Sequence, residues 1–223
     1  CSQVLTQVLP PSLEARLAVL SGPSFAREVS RGLPTLVVAA SPGNSVAERV
    51  QQLFSTSSFR VYTSSDVLGV ELGGALKNVI AIAAGISDGL NFGHNARAAL
   101  LTRGLAEITR LGISMGASLQ TFSGLAGLGD LILTCTDDQS RNRTVGLRLG
   151  RGESLEDILR NMKAVAEGVK TVQAAVALGK RHRVELPISQ AVHEVLYEGK
   201  KPMDAVEELM GRSPKPEFEV RHG

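Results

Sequence analysis

The sequence has no tryptophan, and aromatic residues fill only 4% of its 223 positions. A surface that stacks nucleobases would have few side chains to build from. An excess of one charge is missing too: 24 Lys and Arg against 22 Asp and Glu leave a formal charge of +2. That field is too weak to draw in a polyanion without a local cluster, so nucleic acid is not an expected partner. The two cysteines, Cys1 and Cys135, supply neither a disulfide framework nor a zinc ligand set, and a reducing, cytoplasmic setting suits them. His94, His182, His193 and His222 show no metal spacing and read as surface residues; no metal is expected. Neither G-x-G-x-x-G nor G-x-x-x-x-G-K-S/T occurs, so no complete dinucleotide or P-loop cradle is present. The chain opens Cys1-Ser2-Gln3 with no methionine, basic n-region or apolar h-region, which reads as a fragment rather than a signal peptide. The longest apolar run, Leu72 to Ser87, contains Lys77 and falls short of the roughly 20 residues of a membrane span. A buried helix is expected there, not a membrane span.

What is present is ordinary globular material, 43% apolar and 21% charged, enough for one large domain or two small ones. The first third alternates short β-branched runs with amphipathic segments. Leu17 to Leu20 leads into Ser21-Gly-Pro-Ser24, and Pro23 suits the first turn of a helix running to Gly32. Thr35 to Ala40 and Phe59 to Thr63 read as strands, with a helix over Ser45 to Phe54 between them, a βαβ rhythm. From Asp66 onward helix signals repeat: Asp66–Ser87, Asn95–Gly112, Asp130–Cys135, Ser140–Leu149, Ser154–Asn161, Gly168–His182, Pro187–Glu198 and Pro202–Met210. Ser154 and Asp157 have capping-box spacing, and Gly211 is a stop. The expected organisation is an α/β segment at 1–65, an all-helical domain at 66–212 and a flexible tail at 213–223.

Three places could carry chemistry. Lys77 is the one charge between Leu72 and Ser87, and its neighbours at helical spacing are Gly73, Gly74, Asn78, Ala81 and Gly85. A hollow above such a face would leave an ammonium at its floor, placed to polarise a carbonyl and pass a proton to the developing alkoxide. The same residues fit close helix packing through glycine, with Lys77 reaching out to solvent. Gly124-Leu-Ala-Gly-Leu-Gly-Asp130 is a glycine-rich loop ending in an acid, which suits an N-cap and also a carboxylate that holds Lys77 charged. Ser140-Arg-Asn-Arg143 opens a helix where free amides and the helix dipole favour an anion, and Arg adds a bidentate fork. Arg141, Arg143, Arg148 and Arg151 also fit a solvated basic face partly balanced by Asp137 and Asp138. Gly112-Ile-Ser114-Met-Gly116 matches the nucleophile elbow of hydrolases, but it follows helix rather than strand.

Ser21-Gly-Pro-Ser-Phe-Ala-Arg-Glu28, Val70-Glu-Leu-Gly-Gly-Ala-Leu-Lys-Asn-Val-Ile80, Gly124 to Asp130 and Ser140-Arg-Asn142 resemble successive motifs of the bacterial-type NAD(P)-dependent glycerol-3-phosphate dehydrogenases, in the family's order. The likeness runs from about Leu17 to Met210. It implies a mainly α chain: an all-helical substrate domain, like the C-terminal domain of 6-phosphogluconate dehydrogenase, preceded by the α/β remnant of a Rossmann domain. It also implies interconversion of sn-glycerol 3-phosphate and dihydroxyacetone phosphate with NAD or NADP in the cytoplasm, feeding glycerophospholipid synthesis, and a homodimer. By motif, Lys77 falls on the family's general acid/base. Gly22, Ser24, Lys77, Asp130, Ser140, Arg141 and Asn142 fall on its substrate positions. Ala26, Arg141, Val165 and Glu167, the last two in Val165-Ala-Glu-Gly-Val-Lys170, fall on its dinucleotide positions. The family's glycine-rich cofactor loop and one substrate lysine would lie upstream of Cys1, so the chain is expected to be truncated and inactive alone. The alternative from another class is a non-catalytic helical binding or dimerisation module.

Overall fold

Thr35–Ala40 buries Thr35, Val37 and Ala39 on one face while Leu36 is exposed and Val38 half-buried on the other, until Ala40 is buried as well at its end, and it is the middle of the sheet. The computed structural model describes residues 2–10, 13, 16–162, 165–214 and 216–217. Cys1, His222 and most of the expected tail lie outside them. In chain order the first elements are helix α1 (Ser2–Val8), strand β1 (Val19–Ser21), helix α2 (Ala26–Val29), strand β2 (Thr35–Ala40), helix α3 (Asn44–Phe54) and strand β3 (Phe59–Ser64). The sheet order is β1-β2-β3. β2 and β3 run parallel, with Thr35 opposite Phe59 and α3 as the crossover. β1 runs antiparallel to β2, pairing Val19 with Ala40, so the expected βαβ rhythm holds only for β2-α3-β3. The helix expected from Pro23 shrinks to Ala26–Val29, because Phe25 is extended and Gly32, with φ of 70°, stops any continuation.

Among the described residues, every regular element after β3 is a helix. Helix α4 (Val67–Gly89) is apolar nearly all round, which a helix can be only if it is enclosed. The remaining elements enclose it: α5 (Gly93–Ser114), α6 (Leu119–Ser123), a π-helical turn (Leu125–Gly129), α7 (Asp130–Thr136), α8 (Arg141–Gly150), α9 (Leu155–Arg160), α10 (Glu167–His182), α11 (Pro187–Tyr197) and α12 (Pro202–Met210). By length and composition α4 alone among the described helices could cross a membrane, yet 61% of its most apolar stretch is buried inside the protein. Val79, Ile80 and Ile82 pack there with Leu111, Phe122, Leu131, Val145 and Val172 in one core. Asp66 caps α4 by accepting from the Gly69 amide at 2.9 Å. Its other oxygen accepts from Ser118 N at 2.9 Å and Thr121 Oγ1 at 2.6 Å, which ties the start of α6 to the start of α4.

Helices α4 and α8 touch backbone to backbone. A Cβ on Gly85 would overlap the Arg143 carbonyl, and one on Gly146 would overlap the Ile82 carbonyl. That reciprocal contact brings the first turn of α8 close to α4. Ser114 ends α5 and donates its hydroxyl to the Leu111 carbonyl at 2.7 Å, so it is no nucleophile elbow.

Candidate active site

Lys77 and Asp130 are brought together by two helices packed side by side. Lys77 lies midway along α4, and its Nζ is 2.5 Å from Asp130 Oδ2. The Asp130 side chain is 4% exposed and that of Lys77 19%, so the pair is closed behind the carboxylate and open beside the ammonium. Asp130 is not the N-cap of α7. The π-helical turn runs straight into α7, leaving Gly129 helical at the cap position with no side-chain cap bond and freeing the carboxylate for Lys77. Burial pushes the Asp130 carboxyl above the usual aspartate range, opposed by the charge and hydrogen bond of Lys77 and by Thr134. Thr134, one turn along α7, donates to the Asp130 carbonyl at 2.6 Å and approaches Oδ1 at 3.3 Å. The sequence reading had no role for it, although its i+4 spacing from Asp130 was the available signal.

The hollow expected over α4 is largely filled by backbone. The Ala126 carbonyl of the π-helical turn occupies the place of a Gly73 side chain, and α8 occupies that of Gly85. Asn78 is buried, and its Oδ1 accepts from Asn142 Nδ2 at 3.0 Å. Close packing and chemistry therefore share one face: the small residues admit neighbouring backbones, while Lys77 turns to Asp130 instead of reaching into solvent.

The first turn of α8 sorts its arginines. The Ser140 hydroxyl caps it, accepting from Arg143 N at 3.2 Å. Asn142 is buried and joins three helices, giving its amide to Asn78 and accepting from Gly168 N of α10 at 2.9 Å. Arg141 is exposed, and its Nη1 donates to the Val165 carbonyl at 3.3 Å, which places Arg141, Val165 and Glu167 along one exposed rim. Arg143 turns inward to the buried Asp88 and keeps one nitrogen on the exposed Asp138, and Arg148 pairs with Glu153 at 2.5 Å, so the four arginines do not form one basic face.

On the sheet side, Gly22 is buried with φ of 143°, where an added Cβ would crowd Val37 Cα at 3.0 Å. Ser24 is exposed and donates to the Gly22 carbonyl at 2.9 Å. The loop from Ser21 to Ser24 touches both sides of the site: Ser21 Oγ lies where a Gly74 side chain would, and Pro23 borders Gly129. Ala26, exposed, follows at the start of α2. Among the described residues no group of three or more His, Cys, Asp or Glu is placed to hold a metal.

Part of an α/β sheet set against an all-helical domain, with a lysine–aspartate pair beside the loop that joins them, defines a class of two-part proteins in which a nucleotide-domain sheet precedes a helical domain. The chain belongs to the NAD-dependent glycerol-3-phosphate dehydrogenase family: the model of the family's C-terminus matches residues 66–207, and that of its N-terminus residues 1–47. It is 63% identical over 215 residues to the glycerol-3-phosphate dehydrogenase (NAD(P)+) of Geobacter sulfurreducens, a match covering 96% of this chain and 64% of that protein. The corresponding protein of Syntrophobacter fumaroxidans is 57% identical over 221 residues, covering 99% of this chain and 65% of its own length. The chain thus spans just under two-thirds of the curated relatives it matches. Among solved structures, glycerol-3-phosphate dehydrogenase from Coxiella burnetii superposes with a TM-score of 0.85 at 47% identity, covering 87% of this chain and 60% of that one.

Proposed function

We propose that this chain carries the substrate-binding and proton-transfer half of an NAD(P)-dependent glycerol-3-phosphate dehydrogenase, interconverting sn-glycerol 3-phosphate and dihydroxyacetone phosphate. The observation that carries the reading is the enclosed Lys77–Asp130 pair, open only on the ammonium side. In the reducing direction the Lys77 ammonium hydrogen-bonds the C2 carbonyl oxygen of the substrate and gives it a proton as hydride reaches C2; in the other direction the amine takes that proton back. Asp130 favours the ammonium form before the proton leaves. Arg141, at the amide-rich start of α8, takes the phosphate by a fork of hydrogen bonds, with Ser140 and Asn142 shaping that turn. Gly22 and Ser24 border the substrate from the sheet side.

The dinucleotide would lie against Ala26, Arg141, Val165 and Glu167. All four are exposed and thus fit contact with a ligand. When bound, it supplies the hydride chemistry at C2. We take residues 1–65 as part of the nucleotide domain and 66–212 as the substrate domain. A cytoplasmic enzyme feeding glycerophospholipid synthesis is the matching physiological role. A homodimer is the assembly we propose, supported by an apolar groove of about 1630 Å³ between α5, α11 and α12, lined by Ile113, Leu119, Leu209 and Met210 among others. Light scattering on the purified protein tests that. For the activity, this chain alone and the full-length enzyme, in which the chain is joined to the upstream segment that carries the family's cofactor loop, are each mixed with dihydroxyacetone phosphate and NADH or NADPH, and absorbance at the reduced-nicotinamide band is followed. Turnover dependent on the phosphorylated substrate is expected of the full-length enzyme and not of the chain alone, and none from the full-length enzyme with either dinucleotide would overturn the reading.

A further inference from the structure

Arg143 stands two residues after Arg141, and two residues of α-helix rotate a side chain by about 200°, so these two guanidinium groups leave α8 in nearly opposite directions. Whatever holds Arg143 inward therefore aims Arg141 outward. The holder is Asp88, in the last turn of α4, whose side chain is 6% exposed. Its Oδ2 accepts from Arg143 Nε at 2.9 Å and Nη2 at 2.7 Å. Its Oδ1 accepts from Arg97 Nε at 2.8 Å and Nη2 at 2.6 Å. The remaining Arg143 nitrogen, Nη1, donates to Asp138 Oδ1 at 2.6 Å. Two acids and two arginines thus form a chain with no net charge, reaching from the end of α4 and the start of α5 to the turn before α8.

A buried ion pair of this kind is weak evidence for stability, because well-packed apolar residues of equal volume often do as well. Two forks on one carboxylate do fix direction. The Gly85–Gly146 contact determines how closely α4 and α8 approach, but glycine has no side chain to resist rotation of α8 about its own axis. Asn142, held by Asn78 and Gly168, resists it on one side of the helix, and Asp88 resists it on the side of Arg143. Asp88 also occupies the Arg143 charge, so that among the described residues Arg141 is the guanidinium of the first turn without a carboxylate partner.

We propose that Asp88 is a positioning residue for the anion-binding turn of α8: through Arg143 it aims Arg141 at the phosphate of the substrate and keeps Arg143 from competing for it. The inference rests on the reading of Arg141 given above. The test is Asp88→Asn in the full-length enzyme, with steady-state kinetics on dihydroxyacetone phosphate and on unphosphorylated dihydroxyacetone. KM for the phosphorylated substrate should rise roughly 10- to 100-fold, the scale of a displaced positioning group. With the dinucleotide saturating, turnover at saturation and the slow rate with dihydroxyacetone should stay within about threefold, the pattern of lost uniform binding. Asp88→Glu, which keeps the charge, should recover part of the KM. A merely structural role would lower the active fraction and reduce both rates together with KM unmoved, and that outcome overturns the proposal. If Asp88→Asn does not fold, Arg97→Gln loosens the same carboxylate from its more exposed side, and an unchanged KM there overturns it equally. Absence of dihydroxyacetone phosphate turnover in the unmodified full-length enzyme would instead sink the reading on which this one rests.

Discussion

The Lys77 ammonium meets the Asp130 carboxylate at 2.5 Å although 53 residues separate them, and the contact exists because the π-helical turn delivers Asp130 into the first turn of α7 rather than to its cap. A carboxylate used as a cap would have had its oxygens on backbone amides. Here one oxygen is committed to the ammonium.

In the full-length enzyme, replacing Lys77 with Met keeps the bulk and removes the proton donor. kcat should fall by roughly 10²- to 10⁴-fold, the usual contribution of a positioned general acid. Circular dichroism should show the fold retained, since Asp130, left without its partner, can bind a proton. Near-normal kcat would end the proton-donor role.

Asp130→Asn keeps the size of the side chain and removes the charge that faces Lys77. The ion pair predicts a kcat lower by roughly 10- to 100-fold, smaller than for Lys77→Met because the donor itself remains. Stopped-flow measurement of the first turnover checks it, and an unchanged rate would show that the ammonium needs no carboxylate beside it.

Arg141→Ala should raise KM for dihydroxyacetone phosphate roughly 10- to 100-fold, matching about 1.5–3 kcal/mol for hydrogen bonds to a charged group. Unphosphorylated dihydroxyacetone should be reduced at an unchanged rate. Equal loss on both substrates would mean that Arg141 acts through the dinucleotide or through stability.

Glu107 of α5 is buried and caps α11 from outside, accepting from Ile188 N at 2.6 Å and from Ser189 N and Oγ at 3.2 Å each. Burial raises its carboxyl to about 7, against the hydrogen bonds from Ile188 and Ser189 and the charge of Arg110. A raised carboxyl means that the folded state keeps a proton that the unfolded chain has already released. The stabilisation is therefore present below about pH 4.5 and is lost as pH climbs to about 7. Urea unfolding across this window should show a decline on the order of 3 kcal/mol, which Glu107→Gln removes; an unchanged slope in that variant would assign the decline to other groups.

Gly146→Ala places a methyl group against the Ile82 carbonyl. Separating α4 from α8 should cost about 1–3 kcal/mol, the range for overpacking. Thermal unfolding should shift down by roughly 2–4 °C per kcal/mol. KM for the phosphorylated substrate should rise as well, because α8 carries Arg141.

Much of the architecture is decided within four residues along the chain. Thr35–Ala40 forms the strand its β-branched run predicts, Asp66, Ser140 and Ser154 cap the helices they precede, and Pro202 begins α12 where a proline costs no hydrogen bond. Lys77 was legible for a similar reason: one charge in an apolar helix is conspicuous without any fold. Tertiary structure decided what depends on which groups share a desolvated space. It took Asp130 from cap to ion pair, sent Arg143 inward and Arg141 outward, filled the space over Gly73 and Gly85 with backbone, and brought Glu107 to amides 81 and 82 residues away. It also reversed β1 against β2. Spacing records neighbours on one helix or strand, whereas a buried charge pairs with whatever partner the packing leaves in reach, and that choice is made by the assembled core.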